Sequence, residues 1–200
     1  MCGRYAASRD PSVIVDEFDI DEVPDRVLPQ DWNVAPTKEI YVIRDLPDLD
    51  CAPPTREMLI ARWGLIPGWA KDPAIGARMN NARMETAAEK PAFRQAYAKR
   101  RCIIPADGYY EWFTSTELND KGRPVKEPYY IRNADGSTLA MAGLLEWWRD
   151  RSAGEEAPWV LTAAILTTDA TPELAHIHDR MPVMVAREHL RRRLDSSWDG

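Results

Sequence analysis

Two hundred residues, 44% hydrophobic and 29% charged, suit one globular domain, 1–200, long enough to bury a sizeable core. No apolar run approaches the roughly 20 residues of a membrane span. The start of the chain also lacks the basic and then apolar regions of a secretory signal, so a cytoplasmic chain with no membrane contact is expected. A net charge of −6 argues against a uniformly basic nucleic-acid binder, which moves the question to how that charge is distributed.

The chain begins Met1-Cys2-Gly3-Arg4-Tyr5. Cys2 follows the initiator Met directly, and removal of Met before such a small residue is expected. The new terminus then carries an α-amine and a thiol two carbons apart. The natural partner of such a 1,2-aminothiol is an aldehyde: the amine condenses to an imine, and the thiolate closes a five-membered thiazolidine. The ordinary pKa values, about 7.7–8.0 for the amine and about 8.5 for the thiol, leave both near reactivity at neutral pH. The plain alternative for Cys2 is a small buried apolar residue. Cys51 and Cys102 lie far from it with no CxxC, which points to a reducing compartment and away from a disulfide framework.

Asp10-Pro11 marks a helix start, Asp as N-cap and Pro as N1, and Val13, Ile14 and Phe18 give an apolar face to about Phe18. Residues 19–31 are acidic and punctuated by proline, hence loop. Residues 1–50 hold five Lys/Arg against twelve Asp/Glu. A strand is expected over Ile40–Arg44, a loop over 45–55 and a strand over Met58–Ile66, ending in a turn at Trp63–Trp69. Residues 70–80 are irregular. Asn80–Thr86 leads into helical sequence, divided by Pro91 and resumed over Ala92–Lys99.

Residues 62–101 hold nine Lys/Arg against three Asp/Glu. That segment reads as a local phosphate-binding surface or as an Arg-rich solvated helix face. Strands are expected over Arg101–Ile104, Gly108–Phe113, Pro128–Arg132, Leu139–Trp147 and Trp159–Thr168, with 114–127 and 149–158 as exposed connections. A short helix starts at Thr171-Pro172-Glu173. A loop through His176–Pro182 leads to a short strand, Val183–Val185, and a basic amphipathic helix covers 187–194. Strands that succeed one another without intervening helices imply an α+β domain: a curved, mostly antiparallel, barrel-like sheet system with peripheral helices.

Several side chains are chemically conspicuous. Glu111 sits in the aromatic run Tyr109-Tyr110-Glu111-Trp112 and shares a strand face with Tyr109 and Phe113. It is either solvated or buried as a general acid/base. His176 and His178 are spaced as metal ligands can be but lack a third strong ligand nearby; a surface histidine is the alternative. Asn81 could cap a helix, and Arg83 and Arg4 could hold phosphate.

Six motifs occur in order: Met-Cys-Gly-Arg at 1–4, Trp-Asn-Val-Ala-Pro-Thr at 32–37 and Trp-Gly-Leu-Ile-Pro-Gly-Trp at 63–69, then Asn-Ala-Arg-Met-Glu-Thr at 81–86, Arg-Cys-Ile-Ile-Pro-Ala-Asp-Gly-Tyr-Tyr-Glu-Trp at 101–112 and His-Asp-Arg-Met-Pro-Val at 178–183. Together they resemble the SRAP (SOS-response-associated peptidase) family of abasic-site processing proteins, over nearly the whole chain. The resemblance implies a single curved β-rich domain with a basic cleft for single-stranded DNA. It also implies that Cys2 forms a thiazolidine crosslink to the ring-opened aldehyde of an abasic site, with lyase capacity and self-reversal. Asn81 would position the α-amine, Glu111 would shuttle protons, and His178 would help open the sugar. Arg4 and Arg83 fall on phosphate-binding positions and Thr167 on a polar contact near the lesion. Trp69 and Trp112 fall near the DNA, and Asn33 and Pro36 line the cleft. Trp69 is followed by Ala70 where some members have a second Trp, and the segment from Trp69 to Asn81 is longer than in some relatives. No metal or other cofactor is implied, and a monomer is expected, associated with the nucleoid when DNA is bound.

An abasic site is an aldehyde carried by a polyanion, which fits the aminothiol and the basic segment. In a single strand its sugar is accessible without unpairing, and exposed Trp and Tyr can stack bases. Two other functions compete. One is an N-terminal-nucleophile cysteine peptidase, including removal of its own Met1, with Asn81 in an oxyanion hole. The other is a non-catalytic single-strand binding module in which Cys2 only packs.

Overall fold

The computed structural model describes residues 2–46 and 54–195. Met1, Cys51 with most of the loop expected over 45–55, and the chain end at Asp199-Gly200 lie outside the described residues. In chain order the elements are β1 (Tyr5–Ala7), α1 (Pro11–Phe18), β2 (Asp31–Val34), β3 (Glu39–Asp45) and β4 (Arg56–Trp63). A 3-10 turn at Pro73–Arg78 precedes β5 (Asn81–Arg83), α2 (Met84–Ala87) and α3 (Arg94–Lys99). Then come β6 (Arg101–Ala106), β7 (Gly108–Leu118), β8 (Pro124–Ile131), β9 (Leu139–Trp148), β10 (Val160–Asp169), β11 (Arg180–Pro182) and α4 (Leu190–Leu194).

Strands β10, β4, β3, β6 and β9 pair in that order, and β9 pairs back onto β10, so five strands close a barrel. Every contact in the ring except β4–β10 is antiparallel. Closure removes the exposed edges of an open sheet. A second antiparallel sheet, in the order β2-β1-β7-β8, packs beside it. The α+β, mostly antiparallel, barrel-like expectation is met.

Strand alternation explains why β9 and β10 are apolar on both faces. Leu139, Met141 and Leu145 of β9, with Leu161, Ala163 and Ile165 of β10, join the central core with Cys2, Tyr5, Trp63 and Tyr109. The opposite faces, Ala142 and Leu144 of β9 and Ala164 and Leu166 of β10, pack with Ala87 of α2 and Ala96 of α3. On another side Ile14 and Phe18 of α1 and Leu190 and Leu194 of α4 cover Tyr41, Ile43, Met58 and Ile103. Each fully buried Leu or Ile contributes about 1.5–3 kcal/mol. Asp10 caps α1 as expected, accepting from the Ser12 amide at 2.9 Å.

Five expectations are corrected. Asn81 is not a helix cap: Asn81–Arg83 forms β5, parallel to Ile165–Thr167 of β10, and Arg83 stands at the N-cap of α2. The connection expected over 114–127 is instead a strand ribbon, with β7 reaching Leu118 and β8 starting at Pro124. Both of its faces are largely wet, so it lacks the apolar alternation that marks a strand. The helix expected at Thr171 is a set of turns in which Thr171 and Leu174 carbonyls accept amides three and four residues on. The strand expected at Val183–Val185 lies at Arg180–Pro182, with Met184 bridging to Met141. The segment 187–194 divides into a 3-10 turn and the short α4.

Between β4 and β5 the chain leaves the barrel and returns. Gly64 and Gly76 make that excursion possible. Gly64 has φ +128°, and a Cβ there would lie 2.4 Å from the Gly76 carbonyl oxygen, so only glycine fits. Among the described residues no helix is long and apolar enough to cross a membrane.

Candidate functional site

Cys2 is fully buried where the two sheets meet, in the core cluster with Tyr5, Trp63 and Tyr109. The β1–β7 pairing puts it there. Tyr5 is opposite Tyr109, and the Tyr110 amide donates to the Arg4 carbonyl at 2.9 Å. Following that pairing backwards brings the segment before Arg4 alongside Glu111. Burial pushes the Cys2 thiol up to about 12, and the Glu111 carboxylate pushes in the same direction. The N-terminal ammonium and a backbone hydrogen bond at Arg4 pull it down; Sγ also lies 4.0 Å from the Arg4 carbonyl oxygen. Glu111 is itself buried, on the inner face of β7 with Tyr109, while Trp112 points outward. The open question of Glu111 is thus resolved in favour of burial. Tyr5 stacks edge-on against Trp63 at 5.2 Å, and burial raises its phenol well above the usual range.

Asn81 reaches Cys2 from the barrel side. Its Nδ2 donates to the Cys2 carbonyl oxygen at 2.7 Å. Its Oδ1 is buried and accepts no hydrogen bond among the described residues, an acceptor left open where unsatisfied groups are costly. The β5–β10 register sets Asn81 opposite Ile165 and Arg83 opposite Thr167. Arg83 is exposed; Thr167 is fully buried beneath it, its hydroxyl 3.5 Å from the Ala82 carbonyl oxygen.

The His178 loop is held to this segment by Arg180. The Arg180 guanidinium is buried and donates to both carboxylate oxygens of Glu85 at 2.9 Å, to Asp169 at 2.5 Å and to the Thr167 carbonyl at 2.7 Å. The bonds to Glu85 and Asp169 lift the Arg180 pKa further above its ordinary value. The Arg180 amide donates to His178 Nδ1 at 3.0 Å. Nδ1 also lies 2.8 Å from Asp179 Oδ1, so both neighbours hold the ring at that nitrogen.

His178, Glu111 and Trp112 share one pocket, of about 470 Å³, with Thr114 and Lys126. Arg4 donates to Asn33 Oδ1 at 3.3 Å, joining the two on one exposed surface. Pro36 follows β2, half-buried. Trp69 stands outside the pocket and lines a different groove. Sequence reasoning missed Lys126 and Thr114, whose segment reads as a connection. It also missed Arg180, whose partners Glu85, Asp169 and Thr167 are scattered along the chain. Among the described residues no group of three or more His, Cys, Asp or Glu side chains is placed to hold a metal ion.

Comparison with known proteins adds to this geometry. The family model for SOS response associated peptidase (SRAP) matches residues 1–199. The chain is 41% identical to abasic site processing protein YoaM of Bacillus subtilis, over 94% of this chain and 77% of that protein. It is 32% identical to abasic site processing protein YedK of Escherichia coli, over 96% and 78% respectively. Against abasic site processing protein HMCES of Xenopus tropicalis the identity is 30%, over 82% of this chain and 53% of that longer protein. A crystal structure of a protein from Bacteroides thetaiotaomicron superposes with a TM-score of 0.82 at 27% identity, over 99% of this chain and 83% of that one.

Proposed function

Because the chain belongs to the SRAP family, we propose that it processes abasic sites in DNA, and that Cys2, freed of Met1, does so by closing a thiazolidine on the lesion's aldehyde in single-stranded DNA. The α-amine attacks C1′ of the ring-opened sugar and water leaves, giving an imine. The thiol then adds across the C=N bond, its sulfur to carbon and its proton to nitrogen. One water is lost overall.

The observation that carries this reading is the grip on Cys2 from two sides. Asn81 fixes the Cys2 carbonyl at 2.7 Å and leaves Oδ1 as an open buried acceptor, suited to an N–H of the adjacent α-amine. The buried Glu111 carboxylate acts electrostatically on the thiol. Holding both reactive groups in one geometry makes ring closure intramolecular, with effective molarities on the order of 10⁵ M or more. Glu111 takes and returns protons during imine formation, closure and reversal. His178, in the same pocket, moves a proton at the sugar oxygen during ring opening. Arg4, Asn33 and Arg83 hold the strand's phosphates and edges, Trp112 and Trp69 meet bases, and Pro36 and Thr167 shape the cleft. The imine also gives access to β-elimination, hence lyase activity.

A thiol pushed up to about 12 is poorly suited to begin as the free thiolate nucleophile of a peptidase, whereas imine formation begins at the amine. One added residue in front of Cys2 separates the chemistries. It retains the thiol and blocks the terminal amine. We expect no heat-stable adduct on an abasic single strand from that variant; an adduct at the wild-type level contradicts the aminothiol mechanism.

A further inference from the structure

A second groove, of about 370 Å³, opens at the far end of β10 from Thr167. Three exposed tryptophans line it: Trp69 from the loop after β4, Trp147 from the end of β9 and Trp159 just before β10, exposed by 62%, 37% and 57%. Arg149 and Arg151 line it too. The Arg149 guanidinium lies 4.9 Å from the centre of the Trp159 ring, and its Nε is buried without a hydrogen-bond partner among the described residues. The wall is built. Trp148 Nε1 donates to the Ala70 carbonyl oxygen at 2.7 Å and ties the Trp69 loop to β9. Trp147 and Leu161 are paired in the β9–β10 ladder. The acidic lining residue Glu146 is neutralised by Arg100 at 2.6 Å.

Three large aromatic faces left in solvent with guanidinium groups among them form a surface of the kind that takes bases and phosphates together. Stacking accepts any base, and cationic side chains follow the backbone. A folded protein surface rarely leaves such a cluster open without a partner. We propose that this groove binds the undamaged single strand that flanks the abasic nucleotide, with Trp159 and Trp147 stacking bases and Arg149 and Arg151 meeting the backbone. The proposal rests on the DNA reading of the Cys2 site and assigns the strand a path beyond it. Seven residues of β10 separate Val160 from Thr167, roughly 23 Å at about 3.3 Å per residue. At a stacked spacing of about 3.4 Å per nucleotide that distance is about six or seven nucleotides. Trp69, which falls near the DNA by motif, belongs to this groove, so the two surfaces are linked through its loop.

The test uses the full chain, wild type beside Trp159→Ala, Trp159→Phe and Arg149→Gln. Two readouts are taken: affinity for undamaged oligothymidylate of about 20 nucleotides, and crosslinking yield on a strand of about five nucleotides with one central abasic site, too short to reach the groove. Trp159→Ala is expected to weaken the long strand roughly 5- to 100-fold, as loss of one stacked base does. Its yield on the short strand should match wild type. Trp159→Phe should recover most of the affinity, and Arg149→Gln should fall between. Unchanged affinity for the long strand, in a protein whose wild type binds and crosslinks, overturns the groove and leaves this face for a protein partner. Equal loss on both strands also overturns it, since Trp159 then acts on the fold. A wild type that neither binds nor crosslinks removes the DNA reading itself, and the groove with it.

Discussion

Cys2 is held as a neutral thiol next to a carboxylate. Burial is the larger cause of its raised pKa and Glu111 the second. A negative neighbour disfavours the thiolate, so replacing Glu111 by Gln removes that repulsion and lowers the thiol pKa. The pH dependence of Cys2 alkylation in Glu111→Gln should therefore move to lower pH, while crosslinking to an abasic strand slows because the proton carrier is gone. An alkylation profile that does not move would show that the Glu111 charge does not reach the sulfur. The same substitution separates an acid/base from a packing residue, since Gln keeps the shape of Glu and loses only its proton chemistry. Sequence alternation placed Glu111 on the face of Tyr109, and the structure keeps it there. Alternation states a face, not a depth, and burial of the carboxylate follows from the second sheet closing over Cys2.

Three elements meet at Arg180. Its side chain joins the end of β10 through Thr167 and Asp169 to Glu85 in the first turn of α2, and its amide orients His178. Asn81 lies four residues before Glu85, so one guanidinium fixes both the strand that grips Cys2 and the loop that carries His178. Arg180→Met is expected to cost about 1.5–3 kcal/mol of stability, the range for hydrogen bonds to charged groups, and to reduce crosslinking more than Glu85→Gln. Chemical denaturation of the two variants measures the difference; a loss below 0.5 kcal/mol, about the scale of an ordinary surface change, contradicts the anchoring role. None of this is readable locally. Glu85 and Arg180 are 95 positions apart, and β5 has only three residues, stabilised by parallel pairing with β10. A segment of that length carries no periodicity, which is why Asn81 reads as a helix cap. Long apolar runs such as Leu139–Trp148 are legible because burial on both faces leaves an apolar record through Leu145, before Glu146 interrupts it.

At the scale of the molecule, a closed five-stranded barrel and a four-stranded sheet meet over Cys2, with Cys102 in the same core cluster. The acidic surplus of the first fifty residues is partly spent within the fold, in pairs such as Asp45–Arg56, Asp31–Lys38 and Glu17–Arg9. Arg78, Arg83, Lys90 and Arg94 of the basic segment remain exposed. A chain of net charge −6 can thus still present local positive charge to a polyanion. Of the motif residues, Asn81 bonds the Cys2 carbonyl and Glu111 acts on its thiol, while His178 shares a pocket with Glu111. The tryptophan groove stays hidden in the sequence, because Trp69, Trp147 and Trp159 converge only when β9, β10 and the loop after β4 pack together. The most direct test of the Cys2 assignment is intact mass spectrometry after denaturation. Wild type and Cys2→Ala are each mixed with a single strand carrying one abasic site. The wild type should give a heat-stable species with the mass of the protein without Met1, plus the DNA, minus one water, and Cys2→Ala should give none. The absence of that species from folded protein shown to have lost Met1, or its formation by Cys2→Ala, contradicts the account.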